Sequence, residues 1–282
     1  MADDGLYPFY PNPAPGEIPY SVHSRYIERV GLPSKKALDV FTASGDKNTK
    51  PHLFVFPKNL RTLSSSLPKE HPWSNIETFF MNNTILPYLT YFNSSKNVCS
   101  QQMDSPEIVI DNATRNLFYK DFWEHMRYPR FCLTCIEEDS SKEGFPYFHR
   151  EHQLPGVAVC WLHGEILYNG CKVCGPYPIT KSNSHLPGQC LCKDGIKPLP
   201  AFPHIPSNFE GLRWIARESA YMVSSSGIRG CFSREDLRRL SNNIMRFNHL
   251  PDLVLFLYNL VKSRFGWGFL KWLRFQGFYA YE

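Results

Sequence analysis

"VCWLHGEILYNGCKVC", residues 159–174, puts three cysteines and one histidine into sixteen positions. Cys160 and His163 form a C-x2-H pair, and Cys171 and Cys174 form a C-x2-C pair. Outward from this stretch the pattern continues, with Cys132-x2-Cys135 before it and Cys190-x-Cys192 after it. A two-residue gap lets a tight turn aim both side chains at one ion, so each pair supplies half of a tetrahedral site. Four half-sites in so short a span predict two structural zinc ions per chain.

Pairing in sequence order is the most economical arrangement. Cys132, Cys135, Cys160 and His163 would then close a loop of 24 residues, and Cys171, Cys174, Cys190 and Cys192 a loop of 15. Both lengths suit zinc ribbons. An interleaved pairing, first with third and second with fourth, stays open. So does a ligand role for His185 in place of one of the last two cysteines, since C-x-C is tighter than the usual knuckle. Cys99 and Cys231 are isolated and read as ordinary thiols.

A catalytic reading competes. His149-x-Glu151 upstream of Cys171-x2-Cys174 echoes the zinc-deaminase pattern H-x-E…P-C-x-x-C. Gly170 stands where that pattern has proline, and the two cysteines are better explained as half of the second site. A catalytic zinc also keeps an open position, whereas both sites here can be filled by protein ligands. No H-E-x-x-H, Walker lysine loop or G-x-S-x-G is present. His149 and His152 therefore read as structural histidines, and the chain as a non-enzyme.

The bulk composition bounds the class. The chain has 282 residues, 43% hydrophobic and 20% charged, with 21 Phe, 15 Tyr and 6 Trp to fill compact cores. "MADDGLYPFYPNPAPGE" has neither the basic start nor the apolar run of a secretory signal. The apolar stretch 250–273 carries Asp252, Lys262, Arg264 and Lys271, which suits an amphipathic helix better than a membrane span. Cytoplasmic localisation is expected, the Asn-x-Ser/Thr matches at Asn82, Asn93 and Asn112 carry no weight, and nine cysteines favour metal over disulfides.

The net charge of +5 is unevenly placed. Residues 1–204 balance at 20 basic and 20 acidic, whereas 205–282 hold 11 Lys/Arg against 6 Asp/Glu. That basic segment suggests contact with a phosphate backbone, and Arg213, Arg217, Arg234, Arg238 and Arg239 are the candidate DNA-binding residues.

Three regions follow. Residues 1–129 read as helical, with short helices at about 19–30 and 34–43 broken at Gly31-Leu32-Pro33, the outline of a helix-turn-helix. Ser74-x-x-Glu77 looks like a capping box for a helix that Pro87 interrupts, and 112–128 reads as another helix. Residues 130–204 lose regular periodicity and gather Gly, Pro and Cys, so tandem zinc-binding ribbons with small β elements are expected there. Residues 205–282 return to helix at about 208–223, 233–246 and 250–275, the middle one opened by the capping box Ser233-x-x-Asp236. The fold class is mostly α.

The quoted residues also resemble a family. "RFCLTCIEED…GFPYFHREHQLPGVAVCWLHGEIL…CKVC" is similar to the TniQ family, with its C-x2-C start, an aromatic segment leading to "HQ", then "V-x-V-C-x-x-H-G-x-x-L". "GEIPYSVHSRYIERVGL" looks like that family's opening helix-turn-helix, with Glu17, Ser21, Ser24 and Arg25 at the expected places. "IETFFMNNTILPYLTYF" resembles the stretch reading "HTL-P-Y" in the TnsD branch, with Asn83 where that branch has histidine; Trp161 likewise stands where the family often has proline.

The resemblance implies a transposition target-selection protein. Such a protein recognises a DNA attachment site, or an RNA-guided CRISPR effector complex already on DNA, and recruits the AAA+ regulator TnsC. It also implies the two ligand sets in sequence order. TnsD proteins are usually longer, so a short TniQ and the N-terminal part of a longer chain are both expected possibilities. The alternative is a zinc-ribbon transcription regulator, which predicts promoter binding without an ATPase partner.

Overall fold

The computed structural model describes residues 9–31, 60–85, 87–88, 127–177, 185–190, 192, 195–202, 205 and 209–224. These form five α-helices, two 3₁₀ turns and one small sheet. The expected helices at 34–43, 233–246 and 250–275 lie outside the described residues. So does nearly all of 112–128, of which 127–128 form a turn.

Helix α1, Pro19–Val30, falls where the periodicity puts it. Pro19 opens it with a preset φ, and Gly31 closes it at φ 59°, its N–H bonding Ile27 O at 3.0 Å. Every residue from Pro19 to Ile27 is buried, polar ones included. Buried polar groups need partners, and each of the four noted above has one. Ser21 Oγ accepts from the Phe148 N–H at 3.2 Å, and Ser24 Oγ donates to Tyr20 O at 2.9 Å. Arg25 meets Glu17 through two bonds, Nε to Oε1 at 3.0 Å and Nη2 to Oε2 at 2.6 Å. The same guanidinium donates to Asn12 O at 2.8 Å and lies 3.9 Å above the Phe145 ring. Glu17 also accepts from the Ala14 N–H. This face of α1 is turned into the protein.

Helix α2 is Leu60–Ser65, a 3₁₀ turn follows at Pro72–Ser74, and α3 is Ile76–Asn83. The expected Ser74 capping box is corrected here. Asn75 is the N-cap, its side chain accepting from the N–H groups of Glu77 and Thr78 at 2.9 and 3.1 Å. Ser74 is already committed as the last residue of the 3₁₀ turn, its hydroxyl bonding Lys69 O, so the cap moves one residue on. α3 ends at Asn83, before Pro87. Trp73 is fully buried and stacks on Phe79 with ring centroids 4.0 Å apart. Asn83 ties this core to the leader, accepting from Trp73 Nε1 at 2.9 Å and donating to Glu17 O at 2.8 Å. Arg150 donates to Met81 O and Thr84 O, satisfying carbonyls at the end of α3.

Helix α4, Leu133–Lys142, begins at Cys132. The sheet consists of β1 (Tyr168–Cys171), β2 (Gly175–Pro176) and β3 (Pro198–Pro200), antiparallel in the order β2-β1-β3. Gly170 on β1 faces the backbone of Gly175 and Pro176 so closely that a Cβ would collide with it. Helix α5, Phe209–Ser224, buries Leu212, Ala216, Ala220 and Val223 at helical spacing and packs on the 3₁₀ turn Arg150–Gln153.

The three regions read from sequence share one hydrophobic core. Across 129/130, Ile18 N–H bonds Phe148 O at 3.0 Å and Arg150 N–H bonds Gly16 O at 2.8 Å. No helix among the described residues is long and apolar enough to cross a membrane.

Removing one member of the buried Glu17–Arg25 pair leaves a charge in the core. Arg25→Ala is expected to cost about 3–5 kcal/mol in urea denaturation. Lys142→Ala, which breaks an exposed i,i+4 contact with Glu138, should leave the midpoint unchanged.

Candidate metal centres

The start of α4 positions the first two ligands. Cys132 is its N-cap and Cys135 sits one turn in, so the side chains share a face at the helix end that favours negative charge. The turn at 160–163 supplies the other two. It closes through Gly164 N–H to Cys160 O at 2.8 Å, with Gly164 at φ 69°, and Cys160 N–H bonds Glu165 O at 2.7 Å.

Four ligand atoms converge, from Cys132, Cys135, Cys160 and His163, all within 4.8 Å of one another. His163 Nδ1 lies 3.5, 3.4 and 3.6 Å from the sulfurs of Cys132, Cys135 and Cys160, and the Cys135 and Cys160 sulfurs are 3.7 Å apart. Zinc bonded at about 2.3 Å to sulfur and about 2.05 Å to nitrogen makes tetrahedron edges of about 3.8 Å (S···S) and about 3.6 Å (S···N). The four groups thus have the dimensions of a metal tetrahedron. The sulfurs are much too far apart for disulfides, and all are free thiols.

The electrostatics suit a cation. Hydrogen bonds from Cys132 and Cys135, with backbone N–H groups of His163 and Leu162, push the Cys160 thiol down to about 2. Hydrogen bonds to Cys132 and Cys160, which favour the protonated thiol, together with burial and the nearby negative charges push Cys135 up. Burial disfavours a charged His163, but its contact with Cys132, the charge of Cys160 and the Glu138 carboxylate raise it to about 9. Glu138 Oε1 lies 3.1 Å from His163 Nε2, which orients Nδ1 toward the sulfurs. Glu165 contacts Cys132 Sγ at 3.4 Å and accepts from Thr134 Oγ1 at 2.9 Å.

The second cluster is Cys171, Cys174, Cys190 and Cys192, again within 4.8 Å of one another. Cys171 ends β1, Cys174 lies in the β1–β2 turn, and the other two come from the loop before β3. The sulfur of Cys171 is 3.8 Å from that of Cys192, and Cys174 is 3.6 Å from Cys190 and 3.1 Å from Cys192. Backbone N–H groups of Val173 and Lys197 reach Cys171 Sγ at 3.5 and 3.4 Å, and Cys192 N–H reaches Cys190 Sγ at 3.3 Å. Cys174 is exposed and Cys190 and Cys192 are half-buried, whereas the three cysteines of the first cluster are buried.

The clusters take the sequence-order arrangement. His185 is outside both, its ring stacked on Tyr177 at 5.6 Å and its N–H bonded to Tyr20 OH at 3.0 Å. The deaminase-like pattern is not assembled either. His149 Nε2 faces Asp139 at 2.8 Å, and Glu151 pairs with Arg150 at 3.2 Å. Of the candidate DNA-binding residues, Arg213 and Arg217 are exposed on α5, and Arg213 lies directly over Gly164 of the first cluster's turn. Arg234, Arg238 and Arg239 lie outside the described residues.

Sequence reasoning read His149 and His152 as structural but missed the rest of the supporting shell. Gln153 accepts from Arg130 N–H at 2.9 Å and donates to Arg130 O at 2.8 Å, clamping the extended segment that leads into Cys132. Arg130 is buried, bonds the carbonyls of Val157 and Leu154 at 3.0 Å each, and is lowered to about 9 by burial. His152 is buried against Cys160, and burial with the neighbouring His149 lowers it to about 3. The "HQ" dipeptide was the available signal, but spacing cannot tell a ligand from its support.

The TniQ family model matches residues 8–167, more than half of the chain. The chain belongs to the TniQ family. The TniQ match takes in α1, the Asn75-capped helix and the whole first cluster, and stops before the second cluster and α5. A TniQ domain marks a transposition-associated protein. No curated protein matches this chain.

Burial works against charging His149, but the hydrogen bond it donates to Asp139 and the charges of Asp139 and Glu151 outweigh it, so its pKa lies above the ordinary histidine value. A raised folded pKa stabilises the fold fully below the unfolded value and loses that contribution as pH rises through the folded one. His149→Gln is therefore expected to lower the urea midpoint more at about pH 6 than at about pH 9, the larger loss being about 1–3 kcal/mol. Equal losses at both pH values would remove the charged pair from the account.

Proposed function

We propose that this chain is a non-enzymatic target-selection adaptor of a TniQ-type transposon. It binds target DNA, or an RNA-guided effector complex already on DNA, and recruits the AAA+ regulator TnsC. The observation that carries this reading is the TniQ match across the segment that builds the first metal cluster. Both clusters hold zinc, one through three thiolates and an imidazole, the other through four thiolates. All four positions of each are protein ligands, so the ions order loops and leave no position for substrate.

DNA contact falls on the exposed face of α5. Arg213 and Arg217 stand one helical turn apart there, with Arg213 over the turn of the first centre. Metal-held loops beside two exposed arginines make a rigid surface that can track phosphates without reading bases.

Elemental analysis is expected to give two zinc ions per chain, and chelation should unfold 130–204 first; one ion, or none with intact folding, rejects this assignment. Charge reversal at Arg213 and Arg217 should weaken DNA binding and flatten the dependence of log K on log salt by about 0.9 per lost phosphate contact. An unchanged salt slope rules out DNA contact by this helix. Co-purification with an AAA+ ATPase tests the adaptor role, and sequence-specific binding without any ATPase partner would replace it with a transcription regulator.

A further inference from the structure

His152 is 1% exposed and belongs to neither ligand set, yet its Nε2 lies 3.4 Å from Cys160 Sγ and 4.0 Å from Cys135 Sγ. Its Nδ1 has no hydrogen-bond partner among the described residues. The turn that carries the ring is fastened in place. Gln153, next in the chain, is fastened to Arg130 O and His149 O, and α5 packs on the turn that carries both residues.

The two tautomers of a buried neutral ring are unequal here. With the proton on Nδ1, a donor is buried without an acceptor and the Nε2 lone pair points at sulfur. With the proton on Nε2, an N–H points at a thiolate, and only the weaker penalty of an unpaired acceptor remains. We infer that His152 is a positioning residue of the first metal centre: its Nε2–H donates to the Cys160 sulfur, fixing that ligand and spreading its charge.

The inference rests on the first cluster holding a metal. Three thiolates around a divalent ion leave the centre with a net negative charge inside the core. On the solvent side, Leu162 and His163 N–H groups already serve Cys160. On the buried side no water is available to the sulfur, and His152 supplies the donor that water would otherwise provide. The second cluster has no such need, because Cys174, Cys190 and Cys192 are more exposed and buried Cys171 already receives the backbone N–H groups of Val173 and Lys197.

The test compares His152→Phe with His152→Gln in the full chain. Phe keeps the ring volume and removes the donor; Gln can return an N–H near the Nε2 position. Chelator competition with zinc should show the first site weakened about 10–100-fold in the Phe variant and largely restored in the Gln variant, with the second site unchanged. In the cobalt-substituted protein, the sulfur-to-metal charge-transfer bands of the first site should shift in the Phe variant alone. Equal zinc affinity and unshifted bands in the Phe variant overturn the proposal.

The unaltered protein provides a second route if that variant does not fold. Loaded with ¹¹³Cd, it should show scalar coupling between the first-site metal and an imidazole N–H proton assigned to His152 Nε2; protonation at Nδ1 overturns the proposal. A wild-type chain that takes no metal at the first cluster sinks the metal reading and this inference together, which separates that failure from a metal-loaded site indifferent to His152.

Discussion

Three sulfurs and one imidazole nitrogen come within 4.8 Å of one another at the start of α4, and the rest of the described fold is arranged around that convergence. The segment that brings them together lacks regular apolar periodicity, yet buries Phe131, Phe148, Leu154, Val157, Val159 and Leu167 in the shared core. Its two halves, the helix start at 132–135 and the turn at 160–163, are each locally determined. Holding them face to face requires everything between and behind them: Gln153 clamping Arg130, Phe131 paired with Tyr168, and Leu167 buried beneath.

The N-terminal helices serve the same convergence from behind. α1 is not a free recognition surface on its first two turns, because Ser21 receives Phe148 N–H and Arg25 lies over Phe145. Those two aromatic residues sit in the loop between the first and second ligand pairs, so the buried Glu17–Arg25 pair supports the loop that positions His149 and His152. Arg150, in the same loop, holds the end of α3 in turn. Charge is used inside this protein as a linker between helices, at a desolvation cost that each guanidinium offsets with several acceptors.

The two metal clusters differ in character despite similar ligand geometry. The first lies in the core, where protein groups must supply every donor to its sulfurs. The second rides on a three-stranded sheet of nine residues, with Cys174 exposed and backbone N–H groups reaching Cys171 and Cys190. The first cluster lies inside the TniQ match, whereas the second lies beyond residue 167.

By itself the sequence determined what depends on short spacing. Helix α1 starts at a proline and stops at a glycine, α5 follows its own apolar period, and the ligand pairs two residues apart can only face one ion. The choice of partners was made by the tertiary structure. Ser74 gave up the cap to Asn75 because the preceding turn had claimed it, and His185 went to Tyr177 rather than to sulfur. Glu17 and Arg25 look like surface or site residues in one dimension and became buried supports in three, whereas His152, read as structural, is buried beside a ligand sulfur. The physical reason is range: backbone turns are set by neighbours a few residues away, whereas a buried polar group is set by whichever partner the packing delivers, over 100 residues away in the case of Ser21 and Phe148.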